Sequence, residues 1–181
     1  MRDLSLHVLD LIENSIRAGA TVIAVSIVQD REQDLLRIVV EDNGPGLSVP
    51  TELALDPFYT TKGGKRVGLG LSLFRGAAER AGGTLALERS PLGGLAVVAT
   101  MRLSHVDRSP LGDLAATFSS VVCTNPQLDL RCRFSNGPRE WVVRAPDVAK
   151  ELPADDRCGL AVARRVSERI KTGLAAIEVV A

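Results

Sequence analysis

The sequence predicts an α/β protein: a two-layer sandwich whose sheet carries helices on one face, followed by a small α+β region. Three observations point there. An amphipathic helix opens the chain. Two pairs of β-branched runs follow, separated by irregular glycine-rich sequence and a second helix, giving the order α-β-β, irregular, α-β-β. That order suits one sheet covered by helices. The composition, 45% hydrophobic and 24% charged, is that of a chain able to bury a core.

The opening helix reads through DLIENSIRAGAT, residues 10–21. At roughly 100° per residue, His7, Asp10, Glu13, Asn14 and Arg17 fall within one arc of about 120°. Val8, Leu9, Leu11, Ile12 and Ile16 take the opposite side, as a core-facing helix requires. The polar arc has two readings. It is a solvated face with Glu13 and Arg17 paired four residues apart, or it is the floor of a site. The segment alone leaves both open. Gly19 closes the helix.

TVIAVSIVQ (21–29) and DLLRIVVED (34–42) form a hairpin around DREQ. NGPGLSVP (43–50) breaks all periodicity. The short TELALDPFYTTK and the glycine-rich GGKRVGLG (63–70) follow. A second helix starts near Gly70 and ends at Gly82 or Gly83. TLALERS (84–90) and LAVVATMRL (95–103) form another hairpin around PLGG.

A domain break is expected around HVDRSP (105–110), dividing residues 1–104 from a small domain at 105–181. In the second part, PLGDLAATFSSVV is helical. LDLRCRF and REWVVRA pair around the Asn-Gly turn of SNGP. DVAKEL is a short helix, and DDRCGLAVARRVSERIKTG a longer one that stops at Gly173. LAAIEVVA reads as a last strand. About 75 residues is close to the size at which a lone core is marginal. This part is expected to dock on the first domain or on a second copy, as a partner-binding or dimerisation element.

Charge excludes some classes. Basic and acidic residues both number 22, so the net charge is zero, and neither half is strongly biased. No basic patch points to nucleic acid. No apolar run reaches membrane-span length. Acids interrupt the first apolar stretch, which makes a poor leader, so a cytoplasmic protein is expected. The three cysteines, Cys123, Cys132 and Cys158, have no metal-ligand spacing and are expected reduced.

Three further stretches carry chemistry. EDNGPGL (41–47) sets a carboxylate at a strand end before two glycines. Glycine lets a flat ligand approach the main chain, and an ionised carboxylate accepts from an exocyclic amino group such as that of adenine. DPFYTTK (56–62) alone is weak: Phe58 and Tyr59 could simply anchor a loop. RVGLGLSLF (66–74) places Gly68 and Gly70 before a helix, where backbone amides and the helix dipole favour phosphate. It is neither a P-loop nor a dinucleotide fingerprint.

Taken in order, DLIENSIRAGA, EDNGPGL, DPFYTTK and VGLGLSL resemble the N, G1, F and G2 boxes of the GHKL ATPase superfamily. That group holds gyrase B subunits, heat-shock chaperone ATPases, mismatch-repair ATPases and sensor histidine kinases. DPFYTTK and AERAGGTL look most like histidine kinases; ENSIRAGAT looks more like the mismatch-repair branch. The resemblance covers residues 1–104. It implies the Bergerat fold, with a mixed sheet, and ATP with Mg²⁺ as the bound species.

By that resemblance Asn14 would hold Mg²⁺, with Glu13 and Arg17 at the phosphate end. Asp42 would accept from the adenine amino group, with Gly44 and Gly46 shaping the base pocket. Phe58 belongs to the F box. Thr60, Thr61 and Lys62 would open the lid, and Lys65 and Arg66 would reach the phosphates. Gly68, Leu69 and Gly70 would wrap them. Asp10 and Glu13 are the catalytic candidates. Asp10 stands where the ATPase branches carry a Glu base, one methylene longer. It acts as a weak base or only holds a metal-bound water.

The sequence departs from the pattern elsewhere. Nine residues precede Asp10, and neither His7 nor His105 has the context of a phosphoacceptor. GGLAVVATM carries Leu95 and Ala96 where the family often has a Thr. The lid is short. The expected function is therefore histidine-kinase-like, Mg²⁺-dependent phosphotransfer to a partner protein in signalling. The alternatives are an ATP-gated switch or slow ATPase, and a nucleotide sensor without turnover.

Overall fold

A computed structural model describes residues 3–47, 49–55, 69–157 and 159–179. Its centre is one mixed sheet of six strands: β1 (Val22–Asp30), β2 (Leu35–Asp42), β3 (Leu85–Arg89), β4 (Leu95–Arg102), β5 (Asp129–Asn136) and β6 (Arg139–Arg144). In space they run β3-β4-β2-β1-β5-β6. All neighbours are antiparallel except β1 and β5. The helices are α1 (Leu4–Arg17), α2 (Thr51–Ala54), α3 (Leu69–Arg80), α4 (Leu114–Thr124), α5 (Ala145–Glu151) and α6 (Gly159–Ala176). The expected α/β sandwich is what forms.

Period-two burial shows where the helices sit. Along β1, Ile23, Val25 and Ile27 are buried and their alternates are not. The same side of the sheet carries Leu36, Ile38, Val40, Val97, Ala99, Met101, Leu130, Cys132 and Phe134. These join Leu4, Val8, Ile12, Phe74, Phe118, Val166 and Ile170 of the helices in one hydrophobic core. Phe74, Phe118 and Phe134 are fully buried, each contributing about 1.5–3 kcal/mol. Ser26, Val39, Val98 and Val142 lie on the other side of the sheet, where Val39 and Val98 are buried and Val142 is exposed.

The sheet continues past residue 105. The chain leaves β4, crosses as α4 over the core face, and returns as β5 parallel to β1, in register from Val22↔Asp129 to Gln29↔Asn136. A parallel neighbour needs such a helical crossover. The connecting segment is fixed to the rest. Leu103 N donates to Asp34 O at 2.9 Å, and Ser104 N and Oγ donate to the Asp34 carboxylate at 2.7 and 2.8 Å. The Pro110 and Leu111 carbonyls accept from Leu4 N and Ser5 N at 2.9 and 2.8 Å, capping α1. Strand and helix from both sides of residue 105 thus share a sheet and a core.

The carboxy terminus differs from expectation. Gly173 lies inside α6, which runs to Ala176, and no strand follows among the described residues. The reason is packing: a Cβ on Gly173 would lie 2.1 Å from the Trp141 ring. This glycine admits an indole rather than ending a helix. Gly19 does end one. At φ +90° it lets Ala20 N reach Ser15 O and Gly19 N reach Ile16 O, both at 3.0 Å.

Candidate functional site

The polar arc of α1 and the end of β2 meet on the helical side of the sheet. Asp42 is the last residue of β2 and is 6% exposed. Three donors surround its carboxylate. Ser15 Oγ donates to Oδ2 at 2.6 Å, and Gly44 N and Leu95 N donate to Oδ1 at 2.9 and 3.1 Å. Its main-chain oxygen accepts from Gly94 N at 3.0 Å. A buried carboxylate held by three donors keeps further lone pairs for a ligand donor.

Glycine makes this closeness possible. A Cβ on Gly94 would fall 2.2 Å from Asp42 Oδ1 and 2.6 Å from Gly44 N. One on Gly44 would meet Asp42 Oδ1 at 3.2 Å, and Gly46 takes φ +75°. Asn43 fixes the bend from the other side. Its Oδ1 accepts from Thr21 N and Val22 N, and its Nδ2 donates to Thr21 Oγ1, each at 2.9 Å. The bend is thus tied to the start of β1, next to the carboxy-terminal end of α1.

Asp10, Glu13, Asn14 and Arg17 follow one another along α1, and Glu13 and Arg17 are exposed. Arg17 hydrogen-bonds Asn14 Oδ1 and pairs with Glu13 at 3.4 Å. Asp10 turns toward α3. A Cβ on Gly70 would lie 1.5 Å from Asp10 Oδ2, so the carboxylate occupies the place a side chain would take. Asp10, Glu13 and Asn14 supply hard oxygen donors at helical spacing, the chemistry that Mg²⁺ prefers when phosphates and water complete its shell. No cluster of three acidic, His or Cys ligands exists among the described residues.

His7 belongs to the predicted polar arc yet is 2% exposed. Its ring stacks on Phe74 of α3, with centroids 5.0 Å apart and planes 15° from parallel. Burial pushes its pKa down to about 4, and its Nδ1 has no partner among the described residues. His7 is therefore a neutral spacer between the two site helices. Cys132 is buried in the core and its thiol is pushed up, while Cys123 is exposed.

The structure brings Asp42, Gly44, Gly46 and the α1 arc to one end of the sheet, with Gly70 against Asp10. Phe58, Thr60, Thr61, Lys62, Lys65, Arg66 and Gly68 lie outside the described residues; of Leu69 only the main chain is described. Sequence reasoning missed Ser15, Asn43 and Gly94 as members of the pocket. Two of the three stand beside residues it had named, in Asn14-Ser15 and Asp42-Asn43. It read Leu95 as the loss of a hydroxyl, but the main-chain N–H at that position faces Asp42 whatever the side chain. Thr100 is no substitute, because it pairs with Thr84 Oγ1 at 3.1 Å and sits opposite Arg37.

Comparison with known proteins gives the family. The family model described as "Histidine kinase-, DNA gyrase B-, and HSP90-like ATPase" matches residues 2–105. The virulence sensor protein BvgS of Bordetella bronchiseptica is 30% identical over 132 residues, covering 67% of this chain and 11% of that protein. The sensor histidine kinase CpxA of Escherichia coli is 36% identical over 97 residues, 49% of this chain and 20% of that one. This chain thus spans between about a tenth and a fifth of their length. Among solved structures, the ATP-binding domain of PrrB from Mycobacterium tuberculosis aligns at 33% identity with a TM-score of 0.41, over 54% of this chain and 64% of that one. The MutL ATPase domain of Aquifex aeolicus, complexed with ADP, aligns at 16% identity and a TM-score of 0.46, over 80% and 63%.

Proposed function

The chain belongs to the histidine kinase-, DNA gyrase B- and HSP90-like ATPase family, and from that premise we propose that it binds Mg²⁺-ATP and transfers the γ-phosphoryl group to a partner protein. The observation that carries the reading is Asp42. A carboxylate 6% exposed, fixed by Ser15, Gly44 and Leu95 and reached over glycines, is an acceptor built for a planar amino-bearing ring. In this reading Asp42 takes the adenine amino group, with Gly44 and Gly46 along the ring. Asn14 holds the metal, aided by Asp10, and Arg17 exchanges its bond to Asn14 for a phosphate oxygen. Bound Mg²⁺ would supply charge neutralisation at the phosphates. Thr60, Thr61, Lys62, Lys65, Arg66, Gly68, Leu69 and Gly70 are assigned to the lid and the phosphate wrap, and Phe58 to its base.

Neither histidine within residues 1–181 is placed to accept the phosphoryl group. His7 is buried in a ring stack. His105 Nδ1 accepts from Asp107 N at 3.1 Å in a turn far along the chain from the site. The second reading, an ATP-gated switch or slow ATPase, is favoured by α1 itself. This helix carries the polar arc and is capped by the Pro110–Leu111 main chain, so site and carboxy-terminal half are physically joined.

Incubation with γ-labelled ATP, Mg²⁺ and the soluble protein fraction of the native cell separates the readings. Label on a second protein supports phosphotransfer. Free phosphate alone supports the switch. Failure of ATP to bind at all refutes both. Placement in the cytoplasm belongs to the same proposal; among the described residues no helix is long and apolar enough to cross a membrane.

A further inference from the structure

The helices α1, α3, α4, α5 and α6 share the core on one side of the sheet, and the other side exposes Arg133 and Val142. Its residues form ladder rows fixed by the strand register. The middle row is Ala86, Val98, Val39, Ser26, Arg133 and Val142, running from β3 to β6. It is mostly small and apolar; Val142 is 55% exposed, whereas Val39 and Val98 are buried within the chain. One row toward the Asp42 end stand Glu41 on β2 and Arg144 on β6. One row the other way stand Arg37 on β2 and Glu140 on β6. Along each of these strands, opposite charges flank the apolar row.

We propose that this face is the contact surface between two copies of the chain, related by a two-fold axis lying along the Val39 row. Such an axis maps each strand onto itself with its direction reversed, the aligned arrangement that stacked sheets prefer. Ser26 and Val142 then meet their own counterparts, with Val39 and Val98, already buried within the chain, beneath them. Arg37 faces Glu41 of the second copy, and Glu140 faces its Arg144. Arg37 and Glu41 have no ion-pair partner in their own chain among the described residues, and a second copy satisfies both. Arg133 lies on the axis opposite itself, but Glu140 already neutralises it at 2.7 Å. A shallow depression of about 270 Å³ lies on this face, lined by Ala24, Ser26, Arg37, Val39, Glu41 and Val142.

The area is sufficient. Six strands about 4.8 Å apart and roughly six residues long, with about three side chains of each on this face, give a footprint on the order of 600 Å² per copy. Two such faces reach the lower end of the range for stable protein interfaces. The pairing is independent of the nucleotide reading, because the site lies on the opposite side of the sheet.

Sedimentation of the full chain over a wide concentration range tests it. The wild type is expected to show a concentration-dependent dimer that weakens with salt. Arg37→Glu sets like charges opposite one another twice and should raise the dissociation constant about tenfold or more. Glu41→Arg should do the same, and the double exchange, Arg37→Glu with Glu41→Arg, should restore dimerisation. Val142→Glu should weaken it without touching those charges. A wild type that stays monomeric overturns the proposal and leaves the face to a different protein. A dimer indifferent to Arg37→Glu and Val142→Glu, or a double exchange that restores nothing, overturns it as well.

Discussion

The two ends of the candidate site are built differently. At the base end, Asp42 is buried and bonded to Ser15, Gly44 and Leu95, and Asn43 ties the bend to β1. At the phosphate end, Glu13 and Arg17 are each about half exposed and bond only to neighbours on the same helix. The base end is part of the fold, and its geometry exists before any ligand arrives. The phosphate end is a surface whose contacts can be exchanged. Under the proposed function, specificity would belong to the first and metal-dependent affinity to the second.

Four variants sharpen or break that contrast, ranked by what they do to the fold. Gly94→Ala places a methyl 2.2 Å from Asp42 Oδ1 and 2.6 Å from Gly44 N. Main-chain atoms cannot move aside cheaply, so a loss of about 3 kcal/mol is expected, with nucleotide affinity falling together with it. Denaturant unfolding and calorimetric titration measure the two.

His7 comes next, and it acts through pH. Its folded pKa is pushed down to about 4 by burial, below the 6.5 of the free side chain. Below pH 6.5 the unfolded chain takes up a proton that the native state refuses. The stabilisation from neutral His7 is complete above about pH 6.5 and is lost as pH falls toward 4, at most about 3 kcal/mol. His7→Phe keeps a ring against Phe74 and should flatten stability between pH 7 and 4. An unchanged slope would mean that His7 does not carry it.

Asp42→Asn is expected to disturb the fold by about 1 kcal/mol, since an amide oxygen still accepts and the Ser15 hydroxyl can turn. Discrimination of ATP from GTP should fall by about tenfold or more, because one acceptor becomes a donor. Asn14→Ala comes last, with a stability change within about 0.5 kcal/mol for a surface position. Its effect should appear only as lost magnesium dependence of ATP binding. A large loss of stability here would place the phosphate end inside the fold and erase the contrast.

Much of this was legible in the sequence, for reasons that differ by region. The alternation in β1 and the period of α1 are set by burial on one face, so both elements could be read locally. The order of boxes located Asp42 and the α1 arc. What escaped depends on contacts between distant segments. Gly94 looks like any hairpin glycine until the β3–β4 turn is seen lying on Asp42. His7 shares an arc with charged residues, and only Phe74 on α3 shows why a polar ring is buried there. Gly173 resembles a helix stop because the indole that needs its space is thirty-two residues earlier, in β6. The junction near residue 105 is crossed by hydrogen bonds that Asp34 accepts from Ser104, which composition does not show.

The central claim is that a nucleotide lies with its base on Asp42 and its phosphates along the polar arc of α1. A crystal structure of the chain with Mg²⁺ and a non-hydrolysable ATP analogue tests it most directly. The account predicts the adenine amino group within hydrogen-bond distance of the Asp42 carboxylate, Asn14 Oδ1 on the metal, and Arg17 released from Asn14. A base seated elsewhere, or an Asp42 pocket that stays closed at saturating analogue, would contradict it.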